Sequence, residues 1–270
     1  MTKEKTHNKL PVIGFGTGQL LGDVAQNATM AALRVGCRLI DTGAMYENEA
    51  QVGRAITQSG VPREEIVLIT KGAHYENEHG YEQTLAAFDA SLHRLGLSYV
   101  DYYLIHWPVN PLQRKETWRA MEEIQLSGKS KAIGVSNYAQ HHLQELETMA
   151  VQPVVNEIEF HPYIFNEQKA VMDYCQSHGI YIIGYATYAN GQGDHDPIVG
   201  KIAKHHGKTP RQVLTRWSMQ HNLVPLVRSG NPDHIAANYA VDDFELARSE
   251  MALLDNLHGE RQFRDPKDLP

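Results

Sequence analysis

Eight times along this chain of 270 residues, a short apolar run ends and a segment with helical spacing follows. Few architectures accept that alternation. The runs fall at 11–18, 38–41, 66–69, 100–105, 132–135, 154–158, 180–185 and 223–227. Ile66-Val67-Leu68-Ile69 is apolar at every position, as a strand buried on both faces requires. Helical spacing is read at 27–35, 47–58, 81–95, 117–126, 141–149 and 166–178, with Asn166 as an expected cap. It returns as pairs at 197–206 with 210–220 and at 232–239 with 248–258. No shift in composition marks a linker. The pattern predicts an α/β chain folded as a (β/α)8 barrel, with residues 1–270 as a single domain. A C-terminal helical segment and a short, irregular polar tail from Gly259 complete it. A doubly wound sheet is the alternative, but Gly14-Phe15-Gly16-Thr17-Gly18 is not followed directly by a helix, as a dinucleotide-binding G-x-G-x-x-G turn would be.

Charge and cysteine content narrow the function classes. The net charge of -7 disfavours a broad nucleic-acid footprint. No stretch reaches the roughly 18 apolar residues of a membrane span, and the N-terminal Met1-Thr2-Lys3-Glu4 leads into no signal-like apolar run. Cys37 and Cys175 fit a reducing compartment, so a cytoplasmic location is expected. His141-His142 and His205-His206 are expected on helix surfaces.

In a barrel of this kind, the residues at the C-terminal strand ends converge over one mouth. Asp41, Tyr46, Lys71, His106, Ser136, Asn137, Glu157, Tyr185 and Arg228 all fall there. Asp41 would keep a partly buried Lys71 charged, and the ammonium would lower the pKa of the Tyr46 phenol. Tyr46 would then give a proton to an oxygen gaining negative charge, with His106 hydrogen-bonded to the same oxygen. That donor pair suits a carbonyl being reduced. Taken singly, each residue has an ordinary structural reading; the combination at successive strand ends does not. Asp and His without compact ligand spacing, beside a lysine, make a poor cation site, so no metal is expected.

These residues sit in stretches that resemble the aldo-keto reductases, particularly the shorter prokaryotic members. The stretches are R-L-I-D-T-G-A-M-Y-E-N-E-A-Q-V-G-R-A-I from Arg38, L-I-T-K from Leu68, and S-L-H-R-L-G-L-S-Y-V-D-Y-Y-L-I-H-W-P from Ser91. A-I-G-V-S-N from Ala132, P-V-V-N-E-I-E-F-H-P-Y from Pro153 and G-K-T-P-R-Q-V-L-T-R-W from Gly207 follow in the same order. The resemblance implies a TIM barrel acting as a monomer on a small carbonyl substrate. It implies NADPH as cofactor, with Tyr46 as general acid/base and Asp41, Lys71 and His106 supporting it. It also implies that Ser136, Asn137 and Glu157 meet the nicotinamide carboxamide, and that Tyr185 stacks on the ring. Arg228 and Ser229 would grip the adenosine 2'-phosphate, and Asn238 would meet the adenine.

Three departures from the family pattern carry expectations of their own. His234 replaces the usual arginine of the phosphate grip, which predicts a weaker NADPH preference and usable NADH. Glu157 replaces a glutamine, which predicts a relative gain for the oxidised cofactor and leaves open a dehydrogenase working towards alcohol oxidation. Gly18 stands where a tryptophan is frequent, while Trp107 is retained, so the substrate pocket is expected to be wider unless Tyr75 or Tyr188 refills it. A non-catalytic cofactor-binding protein is the reading from another class, and the intact Asp41-Tyr46-Lys71-His106 set opposes it.

Overall fold

The computed structural model of the protein describes residues 10–269. The expectation about a signal sequence falls largely on residues 1–9 and lies outside the described residues. Eight parallel strands close into a barrel in sequence order. They are β1 (Gly14–Gly16), β2 (Leu39–Asp41), β3 (Val67–Gly72), β4 (Val100–Ile105), β5 (Ser130–Ser136), β6 (Val155–Glu159), β7 (Tyr181–Tyr185) and β8 (Val224–Val227). Closure is made by β1 pairing with β8, Gly14 beside Leu226. Between the strands run α1 (Gly22–Arg34), α2 (Glu49–Gln58), α3 (Tyr81–Leu95), α4 (Arg114–Leu126), α5 (Gln140–Glu145) and α6 (Phe165–Ser177). The last two connections carry α7 (Pro197–His206) with α8 (Pro210–Gln220), and then α9 (Pro232–Tyr239) with α10 (Arg248–Asp255).

The two-residue period of a strand explains both the core and the site. One set of side chains, among them Leu39, Ile69, Leu104, Val155, Ile183 and Leu226, packs together inside the barrel. The alternate set, including Ile40, Leu68, Tyr103, Ile133 and Ile158, packs outward against the helices. Two residues beyond each of those six inward apolar side chains stand Asp41, Lys71, His106, Glu157, Tyr185 and Arg228. The same pleat that fills the barrel floor with hydrocarbon therefore brings six polar groups together above it.

Several element boundaries differ from the sequence reading for local reasons. Helix α5 stops at Glu145, short of the 149 that spacing suggested. Helix α6 begins at Phe165, one residue before the expected cap, and the Asn166 amide instead donates to the Asp255 carbonyl at 3.1 Å. The tail from Gly259 is pinned rather than free. Gly259 N–H donates to the Tyr163 carbonyl at 3.1 Å, Gln262 N–H donates to Glu159 at 2.6 Å, and residues Pro266–Asp268 form a 3-10 turn. Nε2 of both His141 and His142 lies 3.3 Å from the Leu269 carbonyl. His142, expected at the surface, is buried because its Nδ1 accepts the Ala139 N–H at 3.1 Å and closes the first turn of α5. His205 and His206 both reach Glu250 at 2.9 Å, tying α7 to α10.

One glycine sets the spacing of the helical layer. A Cβ on Gly53 would sit 1.9 Å from the Leu95 carbonyl oxygen, so α2 lies directly on the backbone at the end of α3. Backbone cannot rotate out of the way as a side-chain tip can. Gly53→Ala is expected to destabilise the fold by about 2 kcal/mol, because overpacking outweighs the better helix propensity of alanine. A thermal melt reads this as a shift of several degrees; an unchanged midpoint would contradict the close approach.

Candidate active site

The barrel mouth opens into a cavity of about 1470 Å³, above the usual range for a small-molecule pocket and roomy enough for a dinucleotide with a second ligand. Asp41, Tyr46, His106, Ser136, Glu157 and Tyr185 line it. Lys71 is fully buried behind them.

Asp41 ends β2, and the chain turns at once through a 3-10 turn, Ala44–Tyr46, which delivers the phenol back over the strand ends. Asn48, a residue the sequence reading passed over, holds that turn. Its amide donates to the carbonyls of Thr17 and Leu20, both at 2.8 Å, and its Oδ1 accepts the Thr42 hydroxyl at 2.7 Å. The signal in the sequence was an amide side chain two residues after Tyr46, just before a helix. Beneath it, Glu49 accepts from Thr70 at 2.6 Å and from Arg94 at 2.7 Å, locking α2 to β3 and α3.

Lys71 Nζ makes a short ion pair with Asp41 and a second one, at 3.1 Å, with Glu157. It also lies 5.1 Å from the centroid of the Tyr46 ring. Burial alone would lower the lysine pKa, but Asp41 and Glu157 hold it above the ordinary lysine value, so the ammonium stays charged. The expected depression of the Tyr46 phenol is overturned in its net sign. Burial is the largest influence and pushes the phenol above its ordinary value, with Asp41 and Glu157 adding to it, while Lys71 pulls the other way. The lysine moderates the cost of a phenolate here rather than producing one at rest.

His106 meets Tyr46 edge-on, ring centroids 5.5 Å apart. Burial, with Lys71 and His74 nearby, lowers its pKa well below the ordinary histidine value, so the imidazole is neutral. Its backbone is fixed by donation to the Gly72 carbonyl at 2.8 Å and by acceptance from the Asn137 amide at 3.0 Å. Nδ1 of the ring is buried without a partner.

On the opposite wall, Ser136 donates to the Glu157 carbonyl at 2.9 Å and Tyr185 donates to Asn137 at 2.6 Å. Asn137 itself takes a left-handed backbone, φ 61°. Arg228 lines the cavity and donates to the Gly18 carbonyl at 3.0 Å. Ser229, His234 and Asn238 are placed beyond the cavity wall, around α9. Ser229 Oγ accepts the Asn231 N–H at 3.1 Å, His234 is exposed on the first turn of α9, and Asn238 is buried with an unpartnered amide nitrogen. An unsatisfied buried donor, a guanidinium and a pocket-facing aromatic ring form a donor set that fits a phosphorylated dinucleotide.

Several aromatic side chains border the substrate side beside Gly18. Gly18 faces the Tyr46 ring, and a Cβ there would lie in van der Waals contact with it at 3.5 Å. His74 packs edge-on against His106 at 4.7 Å and near Trp107 at 6.5 Å, and both Tyr75 and Tyr188 line the cavity. Phe263, from the pinned tail, meets Tyr185 edge-on at 5.4 Å, and Arg264 joins it at the rim. The tail's contribution was missed because nothing in its polar composition marks a path back across the mouth.

The sequence profile of the Aldo/keto reductase family matches residues 12–258. The chain belongs to that family and is an oxidoreductase that reduces carbonyl groups with a nicotinamide cofactor. Among its relatives, the glyoxal reductase of Bacillus subtilis (strain 168) is 41% identical, over 98% of this chain and 96% of that one. An aldo-keto reductase enzyme from a Medee basin deep-sea metagenome library shares the structure with a TM-score of 0.91, at 38% identity and 97% coverage of both chains. A Bombyx mori aldo-keto reductase, solved in complex with NADP, has a TM-score of 0.88 at 32% identity, covering 97% of this chain and 95% of the other.

Proposed function

We propose that this chain reduces small aldehydes or ketones to alcohols with NADPH, and that Tyr46 gives the proton. The observation that carries the residue assignment is the buried Lys71, which joins Asp41 to Glu157 directly behind the Tyr46 ring. When bound, the reduced nicotinamide supplies the hydride. Tyr46 donates its phenolic proton to the carbonyl oxygen, so the product leaves as a neutral alcohol. Lys71 stabilises the phenolate left behind, and Asp41 holds the ammonium in place. His106, neutral, donates a hydrogen bond that orients the carbonyl oxygen. Ser136 and Asn137 hold the carboxamide, Tyr185 packs on the ring, and Arg228 with Ser229 takes the 2'-phosphate, with Asn238 at the adenine. Trp107 and Gly18 border the substrate. The chain works as one barrel domain over 1–270, as a monomer, in the cytoplasm. Two buried free cysteines support a reducing compartment, and no helix among the described residues is long and apolar enough to cross a membrane.

Glyoxal is the first substrate to test, because the Bacillus subtilis relative is a glyoxal reductase. Turnover with NADPH, abolished in Tyr46→Phe, supports the reading; cofactor binding without turnover on any carbonyl opposes it.

The cofactor preference has its own test. His234 stands exposed on the first turn of α9, beside Asn231, whose side chain caps that helix. His234→Arg adds a permanent charge where the 2'-phosphate is proposed to lie. The ratio of NADPH to NADH efficiency is expected to rise about tenfold, the scale of one charge-assisted hydrogen bond. An unchanged ratio would remove His234 from the phosphate site.

A further inference from the structure

Among the described residues, Lys71 is the one cation in contact with Asp41 and Glu157, and both carboxylates are buried. The pairing needs only Asp41 to be neutral in charge; Glu157 makes it a cluster of one ammonium and two carboxylates. The Glu157 backbone cannot swing away, because Ser136 Oγ and the Asn137 N–H both donate to its carbonyl, at 2.9 and 2.8 Å. Its side chain lines the same cavity as Tyr185 and Asn137, on the wall assigned above to the nicotinamide.

We propose that Glu157 is a positioning residue that acts through the Lys71–Asp41 pair: it leaves this wall one negative charge in excess, and the pocket therefore holds the cationic, oxidised nicotinamide more tightly relative to the neutral, reduced one. Tight relative binding of the oxidised form makes the bound reduced form the stronger hydride donor. The proposal rests on the reading of this cavity as the cofactor site.

The excess charge has a second consequence. The groups facing the cluster are Asp41 from β2, Tyr46 from the turn after it, Lys71 from β3, His106 after β4 and Tyr185 from β7. Burial and then Glu157 push the Asp41 carboxyl well above the usual carboxylate range, against the pull of Lys71. Protonation of the cluster at low pH cancels the excess charge; the cationic, oxidised cofactor opposes that protonation and the neutral, reduced one does not, so rising pH should favour the oxidised form.

The test compares dissociation constants of NADP+ and NADPH, measured by fluorescence across pH, for wild type and Glu157→Gln. Glu157→Gln is expected to weaken NADP+ relative to NADPH by about tenfold at pH 8, the effect of removing one nearby buried charge. It should also flatten the pH dependence of the ratio. A purely packing role would change both constants together. Should Glu157→Gln fail to fold, calorimetry on wild type in two buffers of different ionisation enthalpy counts the protons instead. More protons released with NADP+ than with NADPH supports the proposal. An unchanged ratio in Glu157→Gln, or equal proton counts in wild type, overturns it. Failure of wild type to bind either form would instead overturn the assignment of the cavity to the cofactor.

Discussion

Tyr46→Phe is expected to lower kcat by about a thousandfold while leaving the dissociation constant for NADPH within a factor of about two. The substitution removes one hydroxyl and keeps the ring that packs edge-on against His106 and borders Gly18. The turn that carries it is fixed by Asn48, not by the phenol. The loss should therefore fall on proton transfer and spare the fold. The phenol's raised pKa makes a further point about direction. Above neutrality Tyr46 remains protonated and fit to act as an acid, whereas alcohol oxidation needs the phenolate and should improve as pH rises. Steady-state turnover beside cofactor fluorescence checks this. Equal losses in turnover and in cofactor affinity would mean that the substitution had disturbed the pocket instead.

Lys71→Met is expected to destabilise the folded protein by about 3–5 kcal/mol near neutral pH, the usual result of removing one member of a buried ion pair. Here the cost is compounded, because two carboxylates lose their cation at once. The pH dependence follows from the signs. In wild type the Lys71 pKa is held above its unfolded value, so its stabilisation is present throughout the neutral range. It is lost only as pH climbs through that raised value. In Lys71→Met the Asp41 carboxyl, already pushed up by burial and by Glu157, loses the ammonium that pulls it down and so stays above its unfolded value of about 4. Its penalty is therefore absent below that pH and grows as pH rises. Chemical denaturation of both proteins between pH 5 and pH 8 should show the gap widening with pH. A gap that is small and independent of pH would contradict the charged state assigned to Lys71.

Much of this site was legible because a strand places every second side chain on the same face. Once Leu39, Ile69 and Leu104 are read as inward, Asp41, Lys71 and His106 must lie together above them. Spacing gave no such hold on the connections. Asn48 works by clamping its own turn to the Thr17–Leu20 loop, 28 to 31 residues away, and the tail reaches the mouth through Gln262 and Glu159, more than 100 residues apart. Neither contact leaves a periodic trace. The sign of the Tyr46 shift was missed for a related reason. A sequence shows that a lysine stands near a phenol, but not that burial outweighs it or that Glu157 shares the same ammonium. The presence of His74, Tyr75 and Phe263 around the pocket likewise depends on loop paths and not on residue type.

The most direct test of the account is the decay of reduced-nicotinamide absorbance when the wild-type protein meets NADPH and glyoxal, followed by a short series of larger aldehydes. The account predicts carbonyl-dependent decay proportional to protein concentration, faster with NADPH than with NADH, and yielding one alcohol per cofactor oxidised. NADPH that binds in the cavity and is never consumed, whatever carbonyl is offered, would contradict it.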